Sequence, residues 1–229
     1  MADARTTRLT LVRHGESVAT VTRVVGGEKG CKGLSDLGRR QVEALRDRLG
    51  ATDELSGTDH LYASTLPRAI ETAEIIAPSL GAHLEIVQDG DLCELHPGEA
   101  DGLTWDEYRT QFSIPDTESS IADPYRPLAP GGESWGAFAV RAGGRLRRLA
   151  ADHRGQHVVV ACHGGVIEAS LIALGEMPIT RAFRTDVTNT SLTEWELRPS
   201  RYETHDQAGQ WTLVRFNDAA HLAGVDPRP

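Results

Sequence analysis

The chain is nearly devoid of lysine: only Lys29 and Lys32 stand against 22 arginines. A GC-rich genome writes its cations this way, so the excess itself carries no function, and only arginines in particular places do. Positive charge is also in deficit overall. A formal net charge of −9 repels nucleic acid and anionic membranes, so any anion site must be a local basic pocket. Cysteine is scarce and odd in number. Cys31, Cys93 and Cys162 show no CxxC spacing, which excludes a disulfide framework and predicts reduced thiols in a cytoplasmic protein. No run approaches the roughly 18–20 apolar residues of a membrane span. The opening MADARTTR lacks the apolar stretch of a signal peptide. There is no HExxH or other closely spaced ligand pair, no internal repeat and no low-complexity tract.

What is present has the rhythm of an α/β fold. Residues 8–12 (RLTLV) alternate as a first strand, and HVVVAC at 157–162 reads as a central strand buried on both faces. Further strands are expected at 60–63, 83–87, 191–197 and 211–216. Between them fall helices. Over 65–80, Leu66, Ala69, Ala73, Ile76 and Leu80 form a core-facing stripe, with Ser64 as the expected cap and Pro67 tolerable in the first turn. Over 133–153 the stripe is Trp135, Phe138, Ala142, Leu146 and Leu149. Weaker helices are expected at 36–49 and 165–174. The alternation predicts a single-domain, three-layer α/β/α sandwich over residues 1–229 with a mostly parallel central sheet. The proline-containing stretch 106–132 reads as an irregular, cap-like excursion over the site.

Two histidines each follow a predicted strand and precede glycine: His14 in LVRHGES and His163 in VVACHGG. Ligands of open α/β sheets bind beyond the carboxyl ends of the strands, so both face one crevice. Arg68, in the first turn after the second strand, lies off the apolar stripe and can reach that crevice. Glu94 sits in the loop after the third strand, with Glu99 and Asp101 as other candidate acids. Arg13 and Arg68 are permanent cations with forked donors suited to phosphate oxygens. A neutral imidazole whose second nitrogen is held as a donor is a competent nucleophile at phosphorus. A second histidine can donate to an oxygen where charge builds, and a carboxyl group can protonate the departing alkoxide. These types suffice for covalent phosphoryl transfer without a metal.

The same segments resemble the histidine phosphatase superfamily, in its phosphoglycerate-mutase-like branch. LVRHGES, LSDLGRRQ, ASTLPRAIETA, CELHPGEADGLT and VVACHGG match that family's motifs in order across residues 9 to 165, and the closing NDAAHL is similar to its phosphatase members. The resemblance implies that His14 is phosphorylated, that Arg13, Arg68 and His163 complete the phosphate pocket, and that Glu94 is the proton donor and later the base. Ser17, Thr20 and Gly164 join Arg13, Arg68 and His163 as candidate substrate contacts. The resemblance implies no metal and no organic cofactor.

Two departures stand out. Thr20 replaces an asparagine that contacts phosphate in the family, and Gly33 replaces a proline. The segment 21–32 (VTRVVGGEKGCK) does not follow the family pattern. Mutases of the branch usually carry asparagine where this chain has Gly165, and Leu95-His96-Pro97 departs from their arginine-histidine-tyrosine stretch. The expected activity is therefore hydrolysis of a small phosphorylated metabolite, the alternatives being a phosphoglycerate-type mutase or a catalytically silent regulatory module. The expected partner is a small-molecule phosphate ester, not nucleic acid or membrane. Oligomeric state stays open, a homodimer included. Cys162 and the remaining histidines are read as structural, His96 being the one nearest the acid.

Overall fold

The computed structural model describes residues 6–81, 84–112, 123–180, 185–198 and 209–225. Six strands form one sheet in the order β3-β2-β4-β1-β5-β6. They are β1 (Thr7–Arg13), β2 (His60–Ser64), β3 (Ile86–Asp89), β4 (His157–Cys162), β5 (Leu192–Arg198) and β6 (Gln210–Asp218). The first four run parallel, and β5 and β6 extend the β1 edge in antiparallel fashion. The sheet is therefore mostly parallel, as the alternation predicts.

The two faces follow from the period-2 geometry of the central strands. On β4, Val158, Val160 and Cys162 pack against α5 (Trp135–Asp152) and α6 (Gly164–Ala173), together with Leu9 and Leu11 of β1. Val159 and Ala161 turn the other way, onto α2 (Asp36–Thr52) and α3 (Pro67–Leu80), joined there by Val12. All six residues of β4 are buried. In α5 the predicted stripe of Trp135, Phe138, Ala142, Leu146 and Leu149 is buried throughout. Burying side chains such as Phe138 or Leu146 contributes roughly 1.5–3 kcal/mol each.

Three expectations need correction. The helix read over 65–80 begins at Pro67, with Leu66 as its N-cap and no side-chain cap bond. Ser64 instead accepts from the Leu66 amide and lies under His163. The third strand starts at Ile86, not at residue 83, which lies outside the described residues. It pairs only with β2, so no second neighbour fixes its ends. The excursion 106–132 is not irregular throughout. Helix α4 (Trp105–Gln111) opens on a capping box in which Thr104 accepts from Glu107 N and the Glu107 carboxylate accepts from Thr104 N. The remaining part of the excursion from 113 to 122 lies outside the described residues. A short helix, α1 (Val18–Val21), follows the first strand and was not expected. No helix among the described residues is long and apolar enough to cross a membrane.

His157 links the fold to pH. It is buried, its Nε2 lies 2.9 Å from Thr10 Oγ1, and burial first, then nearby Arg8, lowers its pKa to about 3. The unfolded chain titrates near the ordinary value of about 6.5. Between these two values the unfolded state holds the extra proton, so the contribution is complete above pH 6.5 and is lost as pH falls toward 3. The melting temperature should decline as pH drops from 6.5 to 4, and His157→Gln should flatten part of that decline in a thermal-melt pH series. An unchanged slope would remove His157 as a contributor.

Candidate active site

The parallel pairing of β1 and β4 sets Arg13 opposite Cys162, so the residues that follow, His14 and His163, emerge side by side. Their ring centroids are 5.1 Å apart at 64°. The His14 amide donates to Cys162 O at 2.9 Å, continuing the ladder one step past the strand.

The loop carrying His14 is clamped between two helices. Gly15 N donates to Thr72 Oγ1 of α3, and Glu16 N donates to Gln41 Oε1 of α2. Ser35 Oγ donates to the buried Glu16 carboxylate while capping α2 through Gly38 N. A Cβ at Gly38 would lie 2.0 Å from Glu16 O, and one at Gly15 would lie 2.5 Å from Gly38 O. The loop therefore rests directly on the first turn of α2. The LSDLGRRQ segment supplies the clamp: Ser35 and Gln41 hold the loop, and Gly38 makes room for it.

His14 itself is buried, with Nδ1 2.6 Å from Gly15 O and Nε2 3.0 Å from Arg68 Nε. A carbonyl can only accept and a guanidinium can only donate. The hydrogen therefore sits on Nδ1, and the Nε2 lone pair points toward Arg68 and the crevice. Burial, reinforced by Arg68 and then Arg13, drives the His14 pKa well below its ordinary value. The ring is a neutral imidazole with its lone pair outward, the form a nucleophile requires.

Arg68 is buried against this nitrogen and donates its Nη1 to Gly26 O at 2.8 Å. Arg13 donates Nη1 to Val187 O, while its Nε is buried with no partner among the described residues. Burial lowers the Arg13 pKa, with Glu94 opposing that trend. His163 is fully buried, and burial followed by Arg68 and His14 holds its pKa well below the ordinary range. Its Nε2 lies 2.8 Å from Ser64 Oγ, and its Nδ1 is likewise buried and unpartnered. The single Ser64 hydrogen can go to Cys93 Sγ, at 3.3 Å, or to His163 Nε2; in the second arrangement the hydrogen of His163 resides on Nδ1. In that arrangement Arg13 Nε and His163 Nδ1 are two buried donors with no partner among the described residues. Unspent buried donors are costly, and a bound anion within reach of them would offset that cost.

Glu94 is half-buried and closes the ring of charges. Its Oε1 accepts from Leu95 N and its Oε2 from Gly165 N in the first turn of α6, each at 3.0 Å. A Cβ at Gly165 would meet Glu94 Oε1 at 2.1 Å, so only glycine allows this seat. The loop leading to Glu94 is held by Arg141 of α5. That guanidinium donates to the carbonyls of Asp91, Cys93 and Glu94 and pairs with Glu133 at 2.7 Å. Asp101, a rival acid, accepts from Lys29 N and Gly30 N at 2.8 and 3.0 Å, latching the 21–32 segment in place. Glu99 is exposed and does not line the cavity beside His14.

The structure thus brings Arg13, His14, Arg68, Glu94 and His163 together. Arg13, His14, Arg68 and Glu94 line one cavity of about 470 Å³. Ser17 and Thr20 also line it, but their hydroxyls lie 3.0 Å apart and bond each other. Gly164 lies on the far side of Arg13, in an adjoining recess. Cys162 is buried beneath the site, and burial pushes its thiol well above the usual range. Sequence reasoning missed Arg141 and also Asn189, whose Nδ2 donates to His14 O at 2.9 Å. Neither sits in a local pattern that marks it; only the return of distant segments gives each its role.

A family model described as histidine phosphatase superfamily (branch 1) matches residues 9–218. Over 223 residues the chain is 32% identical to phosphoglycerate mutase-like protein 4 of Arabidopsis thaliana, covering 93% of this chain and 86% of that one. It is 29% identical to a metal-independent phosphoserine phosphatase of the same plant, over 97% and 86% of the two chains. Among solved structures, Bacillus stearothermophilus YhfR superposes with a TM-score of 0.76 at 28% identity, covering 94% and 99%. A mycobacterial glucosyl-3-phosphoglycerate phosphatase solved with VO3 superposes with a TM-score of 0.73 at 27% identity, covering 92% and 98%.

Proposed function

We propose that this chain, which belongs to the histidine phosphatase superfamily, hydrolyses small phosphate monoesters through a phosphohistidine on His14, without a metal. The observation that carries the reading is the donor set around His14 Nε2. A neutral nucleophile stands among Arg68, the unspent Arg13 Nε and the unspent His163 Nδ1.

In the first step the ester dianion draws Arg68 off Nε2 and takes up the free donors. The Nε2 lone pair then forms a bond to phosphorus as the P–O bond to the alcohol breaks. The electron pair leaves on the alcohol oxygen, which receives a proton from the Glu94 carboxyl. The positive charge that develops on the imidazole is met by the Nδ1–H bond to Gly15 O. In the second step the Glu94 carboxylate takes a proton from water as the water oxygen bonds to phosphorus. The P–Nε2 bond breaks, its electrons return to the ring, and inorganic phosphate leaves.

A mutase would return the phosphoryl group to the substrate instead. Gly165 favours hydrolysis: any side chain there would displace Glu94 from the seat it occupies. The similarity to a metal-independent phosphoserine phosphatase and to a glucosyl-3-phosphoglycerate phosphatase supports the same reading.

The test is phosphate release from a panel of small phosphomonoesters in EDTA. Release that persists with the chelator is expected. Release abolished by EDTA and restored by a divalent cation would overturn metal independence. Interconversion of phosphoglycerates without free phosphate would establish the mutase.

A further inference from the structure

Beyond the ring of phosphate-facing groups, the cavity is walled by hydrocarbon: Ala19, Val24, Val25, Leu95, Trp105 and Leu128. This wall is built, not draped. The segment carrying Val24 and Val25 is zipped to the chain around residues 102–105. Val25 N donates to Leu103 O, Gly102 N to Val25 O, and Trp105 N to Arg23 O, at 2.8 to 3.0 Å. Val25 also joins Ala100, Tyr108 and Ala129 in a small core of its own, with Leu128 packed against it. The Trp105 indole, 38% exposed, is set edge-on against Tyr108, with ring centroids 5.6 Å apart.

Among the described residues, polar side chains on this wall are few. The Ser17 and Thr20 hydroxyls bond each other. Beyond Arg13, Arg68 and Glu94, the one charged lining residue among the described residues is Arg23. A phosphorylated amino acid would bring its ammonium among three arginines, with Glu94 committed to the ester oxygen. A sugar phosphate would set several hydroxyls against hydrocarbon, and each hydroxyl left without a partner costs roughly 1–3 kcal/mol. Apolar carbon gains there, at roughly 25 cal/mol per Å² buried.

We infer that the preferred substrate is a phosphate monoester of a bulky, predominantly apolar alcohol or phenol, its hydrocarbon part packed on Val24, Leu128 and Trp105. This rests on the phosphatase reading above and adds the substrate class to it.

The experiment compares kcat/KM for 2-phenylethyl phosphate, ethyl phosphate, O-phosphoserine and 3-phosphoglycerate. The first two share a leaving group of nearly equal basicity, so their ratio reads the wall and not the chemistry. Phenylethyl phosphate should exceed each of the others by at least ~10-fold. In Trp105→Ala the phenylethyl-to-ethyl ratio should fall at least ~3-fold, with the melting temperature checked alongside. Phosphoserine or 3-phosphoglycerate as the best substrate, or a ratio near one, would overturn the inference while leaving the phosphatase standing. Failure to hydrolyse any of these esters, p-nitrophenyl phosphate included, would overturn the phosphatase reading and this inference with it.

Discussion

His14→Ala is expected to lower kcat for phosphate release by at least ~10⁴-fold and to remove all covalent phosphate labelling. Among the described residues no other nucleophile is free at the site: Glu94 is seated on Gly165, Cys162 is buried as a protonated thiol, and His163 Nε2 is occupied by Ser64. The variant should fold, because among the described residues the His14 side chain bonds only its own loop carbonyl and Arg68. The measurement is steady-state phosphate release together with a quench experiment that retains the acid-labile P–N bond. Label that survives in His14→Ala, on a protein with an unchanged melting temperature, would place the nucleophile elsewhere.

Glu94→Gln separates the two roles of the carboxyl group. With an alkyl phosphate, kcat/KM should fall by ~10²–10⁴, the usual worth of a lost general acid. With p-nitrophenyl phosphate, whose phenolate leaves unaided, kcat/KM should change little, because that constant reports only the steps through P–O cleavage. The second step still needs a base, so p-nitrophenyl phosphate should show a burst of nitrophenol followed by slow turnover. Equal losses on both substrates without a burst would remove Glu94 from both roles. Glutamine keeps the size but has a single acceptor oxygen for the Leu95 and Gly165 amides. Some rearrangement of that loop is therefore built into the variant, and the contrast between substrates corrects for it.

The parts of the site legible in the sequence are those that lie at ends of regular elements. His14 and His163 were readable because strand periodicity stops just before each, and parallel pairing of β1 with β4 then makes them neighbours. Arg68 was readable because the stripe of Ala69, Ala73 and Ile76 fixes which way the first turn of α3 faces. Its burial was not, since that depends on Gly26 folding over it from a segment without periodicity. The Thr104-x-x-Glu107 capping box that starts α4 stands in the sequence, and proline content downstream obscured it. Arg141 and Asn189 act across long loops on backbone carbonyls, which carry no side-chain signature. The late start of β3 has a similar cause: as an edge strand with Val87 and Gln88 exposed, it lacks the alternation that marks a half-buried strand.

The hydrogen bond from Arg68 Nε to His14 Nε2 works as a lock whose key is charge. A neutral electrophile meets a nitrogen whose lone pair is already engaged, and it has nothing with which to draw the guanidinium away. On the proposed mechanism a dianion does, and in drawing it away exposes the nitrogen at the moment phosphorus arrives. The property that admits a molecule to the pocket is thus the property that arms the pocket, and the chain's most reactive atom stays quiet among uncharged metabolites.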